Sequence, residues 1–504
     1  MIIPKPVHLV RSPGVFRPSA ITASGDALPV AELLQSYVDL PLREDGDVVL
    51  EADGEGEAYT VSVTPDGVRL RGSVTGLRHA VQSVRQLMSG GELPLVEVRD
   101  EPRFAWRGAM IDVARHFLPV AYLRTLVDQI ALYKLNVLHL HLTDDQGWRM
   151  PVDRHPALTA VGGHRTESMV GPAGGTTFDG IPHGGAYTKD ELRSLVAHAA
   201  ARGVTVVPEI EMPGHARAAL AAHPELGNFP DRALPVWTGW GVSEALFGVQ
   251  EQTFEFLRDV LTEVLEVFPS PYVHIGGDEC PAVEWETSPL AALRIAEEGL
   301  SGPEALHGWF LGRISEFLVS RGRHPICWDD GENPRGLPLR AAVMIWRDPG
   351  HGLEAVRRGH DLVMAPFRST YLDYPQSAEG EPPGQPAAVV SLEDVYRNDP
   401  LPAEWDEECA ARVLGTQGQL WTEFVRTPEH AEYLAFPRLC ALAESAWSAD
   451  RDWDDFRARL EAQAPLLAEV APHHRPLQVS RAEAGRRARR AASRASWRPR
   501  PAAR

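Results

Sequence analysis

Residues 272–280, YVHIGGDEC, run from an apolar β-like pattern through two glycines into the adjacent acids Asp278 and Glu279. Glycine lets the backbone bend sharply or approach another group closely, so Gly276 and Gly277 predict an abrupt end to a strand. Neighbouring carboxylates disfavour each other's ionisation, at a cost that is small only in a solvated turn. The stretch therefore predicts a strand that ends in paired acids, and its neighbours along the chain decide which kind of sheet contains it.

Apolar β-like runs of this kind recur from about residue 101 to residue 447, and helix-like stretches separate them. In chain order the eight runs are GAMIDVAR, VLHLHLTDD, VTVVPEIEM, YVHIGGDE, HPICWDD, AVMIWRD, DLVMAPF and VLGTQGQLWTE. Eight strands that alternate with helices over about 340 residues predict an α/β fold, a (β/α)8 TIM barrel with insertions. A doubly wound sheet is the alternative, but no glycine-rich nucleotide-binding loop follows the first run.

The first hundred residues have a different character. Short β-like runs, among them VVLEAD and AYTVSVTPDGVRLRGS, alternate with one helical stretch, TGLRHAVQSVRQLM, and PDG marks a hairpin turn. We therefore expect a small α+β domain at residues 1–100, the barrel at 101–450 and a C-terminal helical segment at 451–480. The tail at 481–504 holds nine arginines and one glutamate among many alanines, and we expect a disordered, solvated end.

The composition excludes several classes of protein. A formal net charge of -19 argues against a nucleic-acid partner. No apolar run approaches the roughly 20 residues that a membrane span needs. The first residues, MIIPKPVHLVRSPG, lack the basic start and apolar core of a signal peptide, so we expect a cytoplasmic location. The four cysteines show no CxxC spacing, which favours free thiols over a zinc knuckle or a disulfide framework.

The candidate site residues lie where the predicted strands end, because TIM barrels carry their active sites at the C-terminal ends of the strands. The residues at these ends are Arg115, Asp144, Glu211 with His215, Asp278 with Glu279, Trp328, Trp346, Tyr371 with Asp373, and Trp421 with Glu423. Sugar rings stack their apolar faces on aromatic planes, and their hydroxyls need polar partners. Three tryptophans at strand ends beside acids therefore favour a sugar site over simple filling of the core.

Two histidine patterns allow more than one interpretation. His139 and His141 are two residues apart on a predicted strand, so they face one side and could ligate a metal, as in amidohydrolases. The other strand ends offer mostly tryptophan and carboxylates, which favours buried histidines satisfied by hydrogen bonds. His215 follows a Pro-Gly turn at a strand end, and Asp144 ends the neighbouring strand; such a carboxylate–imidazole pair can orient a catalytic acid.

The motifs together resemble those of a known family. RGAMIDVARHF, HLHLTDDQGWR, EIEMPGH, HIGGDE, the WDD and IWR tryptophans, YLD and QLWTE are similar, in order, to the motifs of glycoside hydrolase family 20, the exo-acting β-N-acetylhexosaminidases. The resemblance covers about residues 1–450. Glu211 stands where many members carry Asp in this motif, and the arginine-rich tail is not part of the family pattern.

The resemblance implies a substrate-assisted, retaining hydrolysis of terminal β-linked N-acetylhexosamine. The 2-acetamido oxygen of the substrate would be the nucleophile, and an oxazolinium ion would be the intermediate. Glu279 would protonate the leaving oxygen and then deprotonate the incoming water. Asp278 would orient the acetamido group and offset the positive charge, and mutual repulsion and unequal environments would separate the two pKa values.

The same resemblance implies roles for the other strand ends. Arg115 would bind the 3- and 4-hydroxyls of the sugar, and Glu423 would bind the 4- and 6-hydroxyls. The acetamido pocket would be walled by Trp328, Trp346 and Trp421, and Tyr371, with Asp373 beside it, would hydrogen-bond the acetamido oxygen. Asp144 and His215 would support Glu279. No metal or organic cofactor enters this mechanism. The partner would be an oligosaccharide or glycoconjugate that contains N-acetylhexosamine, and the preference for GlcNAc or GalNAc, the natural substrate and the oligomeric state stay open.

Two other functions compete with this hypothesis. One is a metal-dependent barrel hydrolase built on His139 and His141. The other is a sugar-binding protein that has lost catalysis, against which the presence of Asp278, Glu279 and Tyr371 argues.

Overall fold

The structure is a computed structural model that describes residues 1–330 and 336–477. The predicted basic tail at 481–504 lies outside the described residues, as do the last three residues of the predicted segment 451–480. None of the helices in the described ranges is long and apolar enough to cross a bilayer.

The N-terminal part is a six-stranded mixed sheet with two helices. Its strands are β1 (His8–Phe16), β2 (Ile21–Ala23), β3 (Val48–Ala52), β4 (Tyr59–Thr64), β5 (Gly67–Gly72) and β6 (Leu93–Asp100), and its helices are α1 (Leu28–Tyr37) and α2 (Val74–Leu87). The strand order is β1-β6-β4-β5-β3-β2. The turn between β4 and β5 is the predicted PDG hairpin, and α2 coincides with the predicted helical stretch. The α+β prediction is confirmed for this part of the chain.

Helix α1 is a second helix where the sequence predicted only one. Its ten residues, LPVAELLQSY, bury Val30, Ala31, Leu33 and Leu34 against the sheet and α2. The apolar stripe is short, and a proline lies in the first turn, which a helix tolerates because the missing N–H has no partner there anyway. So short a pattern resembles an apolar strand, and packing against the sheet decides in favour of the helix.

The larger part of the chain folds around a closed barrel of eight parallel strands. Its strands, with two short hairpins, are β7 (Trp106–Asp112), β8 (Val137–His141), β9 (Thr143–Asp144), β10 (Gly147–Trp148), β11 (His164–Arg165), β12 (His183–Gly184), β13 (Thr205–Glu209), β14 (Tyr272–His274), β15 (His324–Trp328), β16 (Ala342–Ile345), β17 (Asp361–Met364) and β18 (Val413–Leu420). The barrel closes in the order β13-β14-β15-β16-β17-β18-β7-β8. Each of the eight predicted runs overlaps one of these barrel strands, so the TIM-barrel prediction is confirmed.

Helices surround the barrel and cover its apolar outer surface. They are α3 (Val120–Leu132), α4 (Ala157–Ala160), α5 (Lys189–Ala201), α6 (Arg217–Ala222), α7 (Glu251–Val267), α8 (Val283–Thr287), α9 (Pro289–Glu298), α10 (Pro303–Ser320), α11 (Pro349–Arg357), α12 (Phe367–Thr370), α13 (Leu392–Arg397), α14 (Glu407–Ala410), α15 (Pro428–Ala435), α16 (Arg438–Trp447) and α17 (Trp453–Val470). Several of these helices begin at capping residues that the sequence provides. Helix α5, for example, begins with a capping box in which Thr188 and Glu191 satisfy each other's backbone N–H groups.

The register of the barrel strands brings distant residues to one level. Asp112 pairs with His141, His141 pairs with Glu209, and Glu209 pairs with His274. These four side chains come from neighbouring parallel strands and lie at the end of the barrel where the strands finish. A local sequence pattern predicts each strand, but only barrel closure makes these residues neighbours.

The N-terminal sheet is joined to the barrel through a buried ion pair. Lys134, which follows α3, lies 3.1 Å from Asp100 at the end of β6 and donates to the Tyr59 hydroxyl at 2.8 Å. Asp100 also accepts hydrogen bonds from Tyr59 (2.6 Å) and from the indole N–H of Trp447 in α16 (2.9 Å). Because buried charges are costly unless they are paired and hydrogen-bonded, this cluster ties both parts of the molecule to one arrangement.

Candidate active site

The loop that follows β14 turns within four residues and presents the paired acids. Gly276 has φ 64° and Gly277 has φ 94°, so the backbone passes through the left-handed region that favours glycine. A Cβ at Gly276 would lie 1.7 Å from the nearer carboxylate oxygen of Glu211, so a side chain has no space there. Glu279 has φ 50°, and a non-glycine residue in this region is strained, as is common at functional sites.

Glu279 lies at one end of a chain of ionisable groups that continues into the barrel. His215 Nε2 is 3.5 Å from Glu279 Oε2 and 3.7 Å from Asp278 Oδ2, and its other nitrogen is 3.1 Å from Asp144 Oδ1. We call Glu279, His215 and Asp144 the acid/base relay. Burial alone lowers the pKa of His215, but the charge of Asp144 and several hydrogen bonds raise it well above its usual value. His215 is therefore an imidazolium that holds a proton close to Glu279.

The two adjacent acids differ in protonation. Burial raises the pKa of Asp278 to about 7, with a further contribution from Glu279, and Asp278 Oδ1 has no hydrogen-bond partner in the described part of the chain. Burial also raises the pKa of Glu279, but the hydrogen bond and charge of His215 outweigh it and lower the pKa below its usual value. These opposite shifts separate the two pKa values and favour the proton on Asp278. This order is the reverse of the one that the resemblance implied for the reacting enzyme: burial dominates at Asp278, whereas the hydrogen bond and charge of His215 dominate at Glu279.

The aromatic residues predicted at the strand ends form one continuous wall. Ring centroids lie 5.8 Å apart for Trp328 and Trp421, 6.1 Å apart for Tyr371 and Trp421, and 6.3 Å apart for Trp346 and Tyr371, which are stacked. Trp346 and Trp421 are half-buried, whereas Trp328 is 1% exposed and packs among the apolar side chains of the barrel interior. Trp328 therefore forms the base of the wall, and the other two rings offer surface to a ligand.

A cluster of charged groups flanks the aromatic wall on the side of β7. Arg115 Nη2 lies 2.7 Å from Asp144 Oδ2, its Nε donates to Gln146 at 3.2 Å, and its guanidinium lies 4.9 Å from the ring of Trp421. Burial raises the pKa of both Glu423 and Asp373; the charge of Arg115 counteracts this for Glu423, and the charge of Glu423 adds to it for Asp373. Arg115 thus connects the acid/base relay to the carboxylates at the far side of the wall.

All eleven predicted catalytic and substrate-binding residues therefore lie in one connected region at the C-terminal ends of the strands. The contacts run from Asp278 and Glu279 through His215 and Asp144 to Arg115, and from there along the aromatic wall. Glu211 differs from them. It is 1% exposed, neither carboxylate oxygen has a hydrogen-bond partner among the described residues, and burial together with the charge of Asp278 raises its pKa well above its usual value. Glu211 is therefore a buried carboxyl with a raised pKa that lies where a Cβ at Gly276 would be.

The sequence did not predict that His141 belongs to this network. Both His139 and His141 are buried and hydrogen-bonded, but His141 donates to Asp144 Oδ2 at 2.9 Å and also bonds Glu209 on the neighbouring strand. The signal was present in HLHLTDD, which places His141 three residues before Asp144. Both nitrogens of His141 face carboxylates, and hydrogen bonds to these satisfy the imidazole. His139 accepts a hydrogen bond from the Gln417 amide at 2.9 Å.

Comparison with known proteins identifies the family. The family described as "Glycosyl hydrolase family 20, catalytic domain" matches residues 104–450, and "Glycosyl hydrolase family 20, domain 2" matches residues 1–101. A β-hexosaminidase of Akkermansia muciniphila is 38% identical over 461 residues, which cover 88% of this chain and 90% of the relative. A β-hexosaminidase of Porphyromonas gingivalis is 37% identical over 500 residues, which cover 91% of this chain but 62% of the longer relative.

Solved structures give the same result. The GH20 β-N-acetylhexosaminidase of Streptomyces coelicolor A3(2) is 30% identical with a TM-score of 0.81, and the match covers 95% of this chain and 98% of that chain. The GH20 exo-β-N-acetylglucosaminidase of Vibrio harveyi, solved with N-acetylglucosamine, is 30% identical with a TM-score of 0.83, and the match covers 94% of this chain and 78% of that chain. With both domains matched in sequence and structure, this chain belongs to glycosyl hydrolase family 20.

Proposed function

We propose that this chain removes terminal, non-reducing β-linked N-acetylglucosamine or N-acetylgalactosamine by a retaining, substrate-assisted mechanism. The observation that supports it most is the position of Asp278 and Glu279, which share one loop and one imidazole. His215 Nε2 is 3.7 Å from the first and 3.5 Å from the second. Related proteins also support it, since a Streptomyces plicatus β-hexosaminidase variant was solved in complex with its product, GlcNAc.

The geometry of the paired acids favours a nucleophile that the substrate provides. An ordinary retaining glycosidase places its two carboxyls about 5–5.5 Å apart on opposite sides of the scissile bond. Adjacent residues that both approach His215 reach the sugar from the same side. The 2-acetamido oxygen can attack the anomeric carbon from the other face, so the breaking glycosidic bond is replaced by an oxazolinium ring that water later opens with retention.

Glu279 would act as the acid and then as the base. His215 holds a proton close to Glu279 Oε2, and the anionic Asp144 behind it stabilises the imidazolium. In the first step Glu279 receives the proton of His215 and gives it to the leaving oxygen. In the second step it takes a proton from the water that attacks the anomeric carbon.

Asp278 would hold the acetamido group. Its unpartnered Oδ1 can accept the acetamido N–H, and both this hydrogen bond and the positive oxazolinium ring favour the ionised carboxylate, which lowers its pKa during the reaction. Trp346 and Trp421 would enclose the acetamido methyl, and the Tyr371 hydroxyl would donate to the acetamido oxygen. Burial and the charges of Asp278 and Asp373 raise the pKa of Tyr371 well above its usual value, so this hydroxyl remains a donor.

Recognition of the sugar hydroxyls would fall to the charged cluster on the other side of the wall. Arg115 would bind the 3- and 4-hydroxyls, and Glu423 and Asp373 would bind the 4- and 6-hydroxyls. The raised pKa values of these acids favour the protonated form. A protonated carboxyl donates as well as accepts, which suits hydroxyl groups because they do both.

A comparison of aryl β-glycosides tests this function. The chain should hydrolyse aryl β-N-acetylglucosaminides or the corresponding galactosaminides, and the matching β-glucoside without the acetamido group should scarcely react. A thiazoline analogue of the cyclised intermediate should bind much more tightly than the free sugar, as intermediate mimics generally do. A covalent glycosyl ester on Asp278 or Glu279, trapped with a 2-fluoro sugar and detected by mass spectrometry, would overturn the substrate-assisted mechanism.

The same assay separates the competing functions. A chain that binds the thiazoline but hydrolyses none of the glycosides is a sugar-binding protein. Activity that EDTA abolishes and Zn²⁺ restores would support the metal-dependent hydrolase instead.

A further inference from the structure

The floor of the barrel beneath the acid/base relay contains a second charged group of residues. Strand β13 lies between β8 and β14, and its last residue, Glu209, pairs in register with His141 on one side and His274 on the other. His139 lies two residues before His141 and therefore faces the same side of its strand. All four side chains are fully buried.

Glu209 is the centre of this group. Its Oε2 bonds His141 Nδ1 and lies 3.2 Å from His139 Nε2. Its Oε1 accepts the indole N–H of Trp328 at 2.7 Å and lies 2.8 Å from His274 Nδ1. One buried carboxylate thus contacts both the histidines under the acid/base relay and the tryptophan at the base of the aromatic wall.

His141 connects Glu209 to the acid/base relay. Its Nε2 lies 2.9 Å from Asp144 Oδ2, and the other oxygen of Asp144 bonds His215. With a carboxylate at each ring nitrogen, the imidazole satisfies both only when it carries two protons. Burial alone lowers the pKa of His141, but Glu209, Asp144 and Asp112 raise it to about 10, which agrees with this geometry.

We propose that Glu209 and His141 are positioning residues for hydrolysis: they hold Asp144, and through it His215 and Glu279, in line with the wall of the acetamido pocket. This inference rests on the proposed function. Buried ion pairs contribute little to stability compared with apolar side chains of the same size, because desolvation offsets their attraction. A row of alternating acids and histidines under the pocket therefore points to orientation of the acid/base group rather than to stability.

The test measures how the rate depends on the leaving group. The variants are His141→Gln and Glu209→Gln, with Thr416→Val as the matched control; Thr416 is equally buried in the barrel and donates one hydrogen bond, to the Met364 carbonyl at 2.6 Å. The substrates are aryl β-N-acetylglucosaminides with leaving groups from dinitrophenol to phenol. A good leaving group needs little protonation, so only a defect in the acid produces losses that grow as the leaving group becomes poorer.

We expect His141→Gln to lower kcat/KM by about 10²-fold for the phenyl substrate and only a few-fold for the dinitrophenyl substrate, the size that a misplaced catalytic group produces. Glu209→Gln should show the same trend and should also weaken thiazoline binding, because it removes the anion that holds Trp328. Thr416→Val should change neither readout.

A double-mutant cycle decides whether His141 acts through Glu279. In a Glu279→Gln background, His141→Gln should lower kcat/KM little further, because the acid that His141 positions is already absent. Equal losses for all leaving groups, or losses that add to those of Glu279→Gln, would overturn the proposal.

These experiments distinguish failure of the positioning role from failure of the hydrolase function. A wild-type chain that hydrolyses none of the glycosides overturns the function itself, whereas an active wild type with uniform losses in both variants overturns only the positioning role. If Glu209→Gln does not fold, the cycle with His141→Gln still gives the answer, since it does not require a change at Glu209.

Discussion

Asp278 and Glu279 are neighbours in the chain, yet their surroundings separate their chemistry. Glu279 faces the imidazolium of His215, while Asp278 is half-buried, one of its oxygens has no hydrogen-bond partner among the described residues, and burial raises its pKa to about 7. The sequence predicted that the two acids would differ, but the direction depends on how deeply each is buried and on which of them bonds His215. Both are set by the turn at Gly276 and Gly277, and no local pattern encodes them.

The pKa of Asp278 predicts the acidic side of the pH profile. The proposed mechanism needs Asp278 ionised, so kcat/KM, which reports the free enzyme, should fall as the pH is lowered through about 7. The acidic limb of kcat should lie at lower pH, because the bound acetamido N–H and the developing positive charge favour the carboxylate. Steady-state rates measured between pH 4 and pH 9 check this; Asp278→Asn should retain a small activity without the acidic limb. An unchanged acidic limb in this variant would assign the titration to another group.

Stability gives an independent readout of the same titration. Because the pKa of Asp278 is raised in the folded state, the folded chain binds the proton more tightly than the unfolded chain does, and stability is lost as the pH rises through about 7. Asparagine keeps the shape without the charge, so Asp278→Asn should be more stable than the wild type at pH 8. The difference in stability should disappear below the ordinary aspartate pKa of about 4. Thermal melting of both proteins at pH 8 and below pH 4 measures it, and a wild type that is more stable than Asp278→Asn at pH 8 would contradict the prediction.

At the scale of elements, the eight barrel strands were predictable and some of their partners were not. Apolar runs between helical stretches locate each strand, because a parallel strand covered on both faces is apolar along its length. The contact between His141 and Glu209 joins residues 68 positions apart and depends on the register of β8 against β13. The sequence showed that His139 and His141 face one side but could not show which carboxylate they meet. Helix α1 was missed for a related reason, since packing rather than pattern decides it.

The loop after β14 offers a test of how tightly it positions the acids. Gly276 and Gly299 have nearly the same φ, 64° and 63°, but a Cβ at Gly276 meets Glu211 whereas a Cβ at Gly299 has nothing within 4 Å. Both alanine substitutions should cost about 1–2 kcal/mol of backbone strain. Only Gly276→Ala should also displace Asp278 and Glu279, with a loss of about 10²-fold in kcat/KM.

The crowding at Gly276 can be relieved separately. Glu211→Ala removes the side chain that a Cβ would meet, so the double variant Gly276→Ala, Glu211→Ala should recover much of the lost kcat/KM. If Gly299→Ala reduces activity as much as Gly276→Ala does, backbone strain alone explains the effect and the close contact with Glu211 is irrelevant.

At the scale of the whole molecule, the N-terminal sheet and the barrel share a buried ion pair that sequence patterns could not predict. Lys134 and Asp100 lie on opposite sides of the junction, and the side chains of both are completely buried. No sequence pattern around either residue predicts that the two pair, since they belong to different domains. The domain match at 1–101 and 104–450 places the boundary within the few residues after Asp100.

Removing one member of this pair should destabilise the whole molecule. Lys134→Met keeps most of the volume but leaves Asp100 without its counter-charge, which typically costs about 3–5 kcal/mol in a buried site. Lys5→Met is the matched control: Lys5 pairs with Asp450 at 2.7 Å, but Asp450 is almost fully exposed, so the free energy of unfolding should change by less than about 1 kcal/mol. Urea denaturation measures both, and adding Asp100→Asn to Lys134→Met should restore part of the loss because neither member of the pair then carries a buried charge. Equal effects of the two lysine substitutions would mean that the junction is held by apolar packing and that the buried pair contributes no more than a surface one.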